Sequence, residues 1–270
     1  MLSVRELVQM EIEKENQIPI KAFITNIGKY NEGELEGAWL SFPTTPEALA
    51  KTFENIGVDF NRYEEWFITS YETSVKGLSI NEFESLDSLN YLANKLDKME
   101  EWEVEHLQAA LQYDLGFNVT DTINLLEENN LDCYNVLYDV ESEYDLGYYI
   151  VEESGKYNTD NMGKLAQYID YESYGRDVSI NENGKFTEKG YVTYSGGVTL
   201  EFDGKNVPEE YRVTNKARGI ILDKAIEKVQ VKIPKKINAR IKAYNAAKKA
   251  EPENPTPTKE KSKTKNEIDL

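Results

Sequence analysis

The sequence of 270 residues contains one cysteine, Cys133, and one histidine, His106. A single cysteine excludes a disulfide within the chain, and the two residues are too few for the Cys/His sets of zinc sites. His106 stands among glutamates in a stretch typical of a helix, so we interpret it as a partly exposed helix residue. Cys133 lies between Asp132 and Tyr134, a setting that favours a small buried side chain over a reactive thiolate. The sequence therefore predicts no catalytic centre, no metal site and no cofactor.

Long apolar runs are also missing. The N-terminal residues lack the apolar core and cleavage site of a signal peptide, and nowhere do 18 apolar residues follow one another. The glycine-containing turns match neither a P-loop nor a dinucleotide fingerprint. We expect a folded cytoplasmic protein that has no membrane span.

The third absence is of positive charge. Residues 99–155 contain 15 carboxylates and not one lysine or arginine. Residues 1–205 carry a net charge of -25, whereas residues 206–270 carry +7. A large acidic body is thus followed by a basic extension. The carboxylates that we predict to act together as one acidic surface are Glu100, Glu101, Glu103, Glu105, Asp114, Asp121, Glu127, Glu128, Asp132, Asp139, Glu141, Glu143, Asp145, Glu152 and Glu153.

This charge is difficult to explain by folding alone. Like-charged pairs at helical spacing, such as Asp139 and Glu143, destabilise a helix by about 0.2–0.5 kcal/mol. Glu152 and Glu153 precede Gly155, where a helix dipole favours cations instead. A net charge of -25 equals that of about 43 Å of duplex DNA, close to the roughly 43 Å diameter of a compact chain of this size. We therefore predict a partner that has a basic DNA-binding groove, and no direct DNA binding by the acidic body.

Hydrophobic periodicity predicts an α+β fold, an elongated chain of three small domains with a partly disordered basic tail. The expected segments are an N-terminal helix (1–19), an α+β domain (20–75), a helical domain (76–130), a second α+β domain (131–205), a basic helical extension (206–250) and a disordered tail (251–270).

Residues 131–155 read as one long helix. At a period of 3.6 residues, the side chains that share its core stripe are Leu137, Val140, Tyr144, Tyr148 and Val151. Leu146, Tyr149 and Ile150 interrupt the acidic arc on the other side. They indicate either a contact between subunits or packing within the same domain. Further on, the pattern predicts another helix over 160–175 and strands at 176–180, 189–195 and 197–202.

Three motifs occur in a characteristic order. They are "FITNIGKYNEGELEGAWLSFPTTPEAL" (23–49), "DCYNVLYDVESEYDLGYYIVEESG" (132–155) and "LAQYIDYESYGRDV" (165–178). Together they resemble the ArdA antirestriction family over residues 23–202. The helix at 3–15 and the basic extension depart from that pattern.

The resemblance implies three small domains, a homodimer formed through the third, and a protein surface that mimics DNA. Such a protein blocks type I restriction-modification enzymes by occupying their DNA-binding site. Two other functions remain open from the residues themselves. One is an acidic hydrolase that uses a carboxylate pair, and the other is a binding module that acts through the basic tail.

Overall fold

The structure is a computed structural model that describes residues 19–114, 116–127 and 130–232. Residues 1–18 of the predicted N-terminal helix, residues 233–250 of the predicted basic extension and the predicted tail (251–270) lie outside these residues. The chain divides into two units, Met1–Asp223 and Lys224–Leu270. The described part of the second unit, residues 224–232, is the end of a helix. The first unit combines helices with two small antiparallel sheets, which confirms the α+β class.

Six strands form the two sheets: β1 (Ile20–Asn26), β2 (Gly37–Phe42), β3 (Trp66–Thr73), β4 (Tyr134–Leu137), β5 (Lys185–Thr187) and β6 (Gly190–Tyr194). Eight α-helices lie in the described residues: α1 (Ile27–Asn31), α2 (Pro46–Asn55), α3 (Leu86–Leu96), α4 (Glu101–Tyr113), α5 (Val119–Leu125), α6 (Glu143–Tyr148), α7 (Tyr171–Asn181) and α8 (Thr214–Lys232). Short 3-10 turns cover Asn130–Cys133, Thr159–Tyr168 and Glu209–Tyr211, and a π-helical turn covers Tyr149–Glu153.

The first sheet has the order β2-β1-β3. Its central strand buries Ile20, Ala22 and Ile24 on one face, as the alternation of side chains in a strand requires. Helix α2 starts where the N-cap residue Thr45 accepts a hydrogen bond from Ala48 N. The helix closes over the sheet with buried residues such as Leu49 and Phe53.

In the helical segment, too, residues at the helix starts determine where the helices begin. Ser85 caps α3, and Asn118 forms a capping box with Asp121 at the start of α5. Leu89 of α3 and Leu107 of α4 belong to the same buried cluster as the first sheet. One hydrophobic core thus joins two segments that the sequence assigned to separate domains.

The expectation of a long helix over 131–155 is wrong. Its first part is strand β4, which pairs with β6 in the second sheet, of order β4-β6-β5. Asp139 then takes a positive φ of 63°, and α6 begins only after Ser142, which caps it. The helical wheel therefore combined residues from two different elements.

The predicted core stripe is confirmed for Val140 and Val151, which are buried, but it is wrong for its two tyrosines. Tyr144 and Tyr148 are 52% and 41% exposed, whereas Leu146 and Ile150 are buried. These two side chains lie in a small cluster with Val140 and Tyr191, and Tyr149 packs against it half-buried. Packing within the domain accounts for their burial, so Leu146 and Ile150 are not available as a subunit contact.

Two predicted strands are also absent from the structure. Residues 176–180 continue α7, which Asp170 caps by accepting from Ser173 N. Residues 197–202 form no strand because their backbone is held by asparagine side chains instead. The amide oxygen of Asn124 accepts from Glu201 N and Phe202 N, and that of Asn130 accepts from Thr199 N.

The basic extension begins within the first unit. Val207, Val213, Ala217 and Ile221 are buried in its main core. The first part of the extension, up to Ile221, is therefore held in the first unit by ordinary hydrophobic packing.

Candidate partner-binding surface

The acidic residues of α4 occupy the end of the helix that favours them. Glu101 and Glu103 lie in its first turn, where the dipole stabilises a carboxylate by about 0.3–1 kcal/mol. Glu103 also accepts a hydrogen bond of 2.7 Å from Glu100 N. The premise that folding does not select these acids is thus wrong for this helix.

Two further members of the predicted surface act as local caps. Asp121 accepts from Asn118 N at 3.2 Å, within the capping box of α5. Asp145 accepts from the Ser142 hydroxyl at 2.6 Å, at the start of α6. Both carboxylates organise a helix start, yet neither gains a positive partner in doing so.

Lysines from outside the acidic stretch neutralise three other carboxylates. Lys95 Nζ lies 3.1 Å from Glu127, and Lys189 Nζ lies 2.8 Å from Glu105. A longer pair of 3.9 Å joins a lysine of β5, Lys185, to Asp114. Local sequence could not reveal these pairs, because the partners are up to 84 residues apart.

Glu152 has an unexpected set of partners at the end of the π-helical turn. Its carboxylate accepts from the Tyr171 hydroxyl at 2.6 Å and from the Thr159 hydroxyl at 3.0 Å. The hydrogen bond to Glu152 raises the pKa of Tyr171 to about 12. Glu152 therefore links the π-helical turn to the start of α7 and is not simply an acid at an unfavourable helix end. Sequence reasoning missed this role because it depends on the fold of residues 159–171.

Fourteen of the fifteen predicted acids are described, and Glu128 lies outside the described residues. Apart from the three that pair with lysine, they have no ion-pair partner among the described residues. These eleven are Glu100, Glu101, Glu103, Asp121, Asp132, Asp139, Glu141, Glu143, Asp145, Glu152 and Glu153. Most are exposed, and Glu103, Asp121, Glu143 and Asp145 are half-buried. A smaller set than the sequence suggested thus carries uncompensated charge.

A cavity of about 550 Å³ lies beside Tyr138 and Tyr144. A different cavity of about 610 Å³ lies near Tyr91, Trp102 and His106.

The smaller cavity lies between the turn that follows β4 and the helical residues of α6 and the π-helical turn. Four tyrosines, three acids and one valine line it: Tyr138, Asp139, Val140, Tyr144, Asp145, Tyr148, Tyr149 and Glu153. No lysine, arginine or histidine is among these lining residues. Aromatic faces and carboxylates therefore meet at one point of the acidic surface.

The larger cavity has mixed charge. Lys95 and Lys98 line it together with Glu103, Asp132 and Glu210. Both signs are present, so this cavity does not extend the uncompensated negative charge.

His106 is partly exposed, as predicted, whereas Cys133 is less buried than predicted. His106 is half-buried, and its Nε2 lies 2.7 Å from the carbonyl oxygen of Tyr134, which links α4 to β4. Cys133 is half-buried against the main core. In the part of the chain that the structure describes, no group of three His, Cys, Asp or Glu side chains could hold a metal ion. Every described helix is too short or too polar to cross a lipid bilayer.

Comparison with known proteins gives one clear result. Residues 22–193 match the family described as antirestriction protein (ArdA), and they include all three motifs noted in the sequence. A search of curated proteins gave no match. Because the family match covers more than half of the chain, this protein belongs to the ArdA family of antirestriction proteins.

Proposed function

We propose that this protein inhibits a type I restriction-modification enzyme by occupying the enzyme's DNA-binding groove with its acidic surface. The observation that carries the proposal is the set of eleven carboxylates without an ion-pair partner among the described residues. Family membership supports the antirestriction role. In this proposal the carboxylates replace DNA phosphates, and the protein performs no catalysis.

The physical basis is the same attraction that brings DNA to its enzymes. A groove lined by Lys and Arg concentrates negative partners and accelerates their association. A protein surface can exploit that field if its own acids are not neutralised by neighbouring cations. Glu105, Asp114 and Glu127 pair with lysines, so the proposed contact relies on the eleven other acids.

A direct experiment compares two variants that change the net charge equally. The first neutralises six acids of the surface by Asp→Asn or Glu→Gln: Glu101, Asp132, Asp139, Glu141, Glu143 and Glu153. The control neutralises six exposed acids elsewhere: Glu64, Glu65, Glu72, Glu82, Asp97 and Glu201. Each is titrated against a purified type I restriction-modification enzyme bound to fluorescent duplex DNA.

We expect the wild type and the control to displace DNA, and the surface variant to lose displacement while it still unfolds in a cooperative thermal transition. Full displacement by the surface variant would refute the proposal. Equal loss in both variants would show that net charge, and not this surface, is responsible. Binding of the wild type that DNA cannot displace would point to a different site on the enzyme.

The proposal includes a cytoplasmic homodimer of three-domain subunits, which the family resemblance implies. Several large apolar side chains of the predicted third domain (131–205) are exposed, among them Leu165 (70%), Tyr168 (76%) and Ile180 (70%). They are better candidates for a subunit contact than the buried Leu146 and Ile150. Sedimentation of a Leu165→Asp/Ile180→Asp variant tests this part: an unchanged dimer would exclude these residues from the contact.

A further inference from the structure

The cavity lined by Tyr138, Tyr144 and Tyr148 has features that a phosphate-like array does not need. Attraction to a basic groove requires negative charge alone, whereas this cavity adds exposed aromatic rings. Tyr144 and Tyr148 lie one helical turn apart, with ring centroids 6.4 Å apart and planes inclined by 17°. Their nearly parallel rings are half-exposed and border the cavity.

A third tyrosine holds the two rings in place. Tyr171 packs edge-on against Tyr144 at 5.6 Å and against Tyr148 at 5.5 Å. Its hydroxyl donates to Glu152, which fixes the Tyr171 ring from the other end. Tyr171 therefore fixes the positions of the Tyr144 and Tyr148 rings before a ligand binds. Ligand binding would then order few additional side chains.

The three acids that line the cavity differ in whether their carboxylates already have hydrogen-bond partners. Asp145 is engaged with the Ser142 hydroxyl at 2.6 Å. Among the described residues, Asp139 and Glu153 have neither a hydrogen-bond nor an ion-pair partner for their carboxylates, and both are exposed. Two available carboxylates beside aromatic faces favour a cation.

The shape of the site favours one kind of cation. A guanidinium group is planar, stacks on aromatic rings and forms paired hydrogen bonds with a carboxylate. An ammonium group is compact and more strongly hydrated, so it gains less from the rings. We propose that this cavity binds the guanidinium group of an arginine from the partner enzyme, stacked against Tyr144 or Tyr148 and paired with Asp139 or Glu153.

This inference rests on the proposed function, because the arginine is one that would otherwise contact DNA. In this proposal Tyr144 and Tyr148 contribute to specificity for the partner enzyme. Duplex DNA has no equivalent of these two side chains. It can nevertheless be tested on the protein alone, without any restriction enzyme.

The probe is Nα-acetyl-arginine methylamide, and its neutral citrulline analogue is the control ligand. The full chain carries 13C-labelled tyrosine rings, and each ligand is titrated while the ring signals are followed by NMR. We expect the arginine derivative to shift the Tyr144 and Tyr148 signals in a saturable way, and citrulline to shift neither. The lysine derivative should bind more weakly than the arginine derivative.

Variants then separate the rings from the charge. Tyr144→Leu/Tyr148→Leu keeps every acid and should weaken binding by about threefold to tenfold, because the cation–π contribution is lost. Tyr144→Phe/Tyr148→Phe keeps the rings and should retain binding. Tyr168→Leu changes an exposed tyrosine outside the cavity and should have no effect.

Equal shifts with citrulline, or unchanged binding by the leucine variant, would overturn the arginine site. Saturable shifts at Tyr168 as strong as those at Tyr148 would do the same, since they would indicate unspecific attraction. Loss of the arginine site would leave DNA displacement by the wild type intact, whereas failure of the proposed function would abolish that displacement. The two failures are therefore distinguishable.

Discussion

The carboxylate of Asp87 caps helix α8 by accepting hydrogen bonds from both the backbone N–H and the hydroxyl of Thr214, at 2.8 and 2.9 Å. Asp87 lies within the residues that match the family, whereas Thr214 lies beyond them. A third hydrogen bond, from Val213 N, joins the same oxygen at 2.7 Å. One side chain thus connects the family region to the extension that follows it.

Replacing Asp87 by Ala should destabilise the protein by about 1–2 kcal/mol, because an N-cap is lost and two backbone N–H groups lose their acceptor. Chemical denaturation measures the change in the free energy of unfolding. Asp97→Ala is the matched control, since Asp97 is exposed and its side chain accepts no hydrogen bond in the described residues. Equal stability of the two variants would show that the extension is not held through Asp87.

Two glycines permit the close crossing of α6 and α7. A Cβ atom on Gly147 would overlap the carbonyl oxygen of Tyr171, and one on Gly175 would overlap the carbonyl oxygen of Glu143. Gly147→Ala and Gly175→Ala should each destabilise the protein by about 1–3 kcal/mol through overpacking. Gly219→Ala is the control, because its Cβ would meet nothing within 4 Å and alanine favours a helix by about 1 kcal/mol. Thermal unfolding should therefore separate the first two variants from the third, and a neutral Gly147→Ala would contradict the crossing.

Helix starts were the most predictable part of the fold. Thr45, Ser85 and Asn118 each stand immediately before an amphipathic stretch, and each caps the helix that follows it. Capping is a local interaction, so a short window of sequence contains its causes.

Interactions between distant segments were not predictable in the same way. The run at 197–202 has the composition of a strand, but Asn124 and Asn130 supply hydrogen bonds from more than 60 residues away. The same limit applied to the acidic surface, where Lys185 and Lys189 neutralise acids far away in the sequence. Charge along the chain identified the region, whereas the ion pairs depend on tertiary structure.

The Tyr171–Glu152 pair predicts a change in alkaline titration. The pKa of Tyr171 is raised to about 12 from an ordinary value of 10.0, because its hydroxyl donates to the Glu152 carboxylate. A raised pKa contributes stability that is fully present below pH 10 and is lost as the pH rises through 12. Glu152→Gln should lower the pKa of Tyr171 towards 10, which NMR of the tyrosine Cζ atom measures. A Tyr171→Phe variant assigns the signal, and an unchanged titration in Glu152→Gln would refute the pairing.

Salt should weaken the interaction with the restriction enzyme steeply. Screening shortens the range of charge attraction to about 8 Å at physiological ionic strength, and a basic groove must exchange its bound ions for carboxylates. We expect the apparent dissociation constant to rise strongly between roughly 0.05 and 0.2 M salt, as it does for proteins that bind DNA through many phosphates.

The six-acid surface variant gives this measurement its control. With fewer carboxylates in the groove, its plot of log affinity against log salt should have a shallower slope than that of the wild type. The variant with six neutralised acids elsewhere should keep the wild-type slope, because those acids do not enter the groove. If all three slopes were equal, the contact would not depend on the acids between Glu100 and Glu153, even if the wild type inhibited the enzyme. The slope therefore tests where the contact lies, independently of how tight it is.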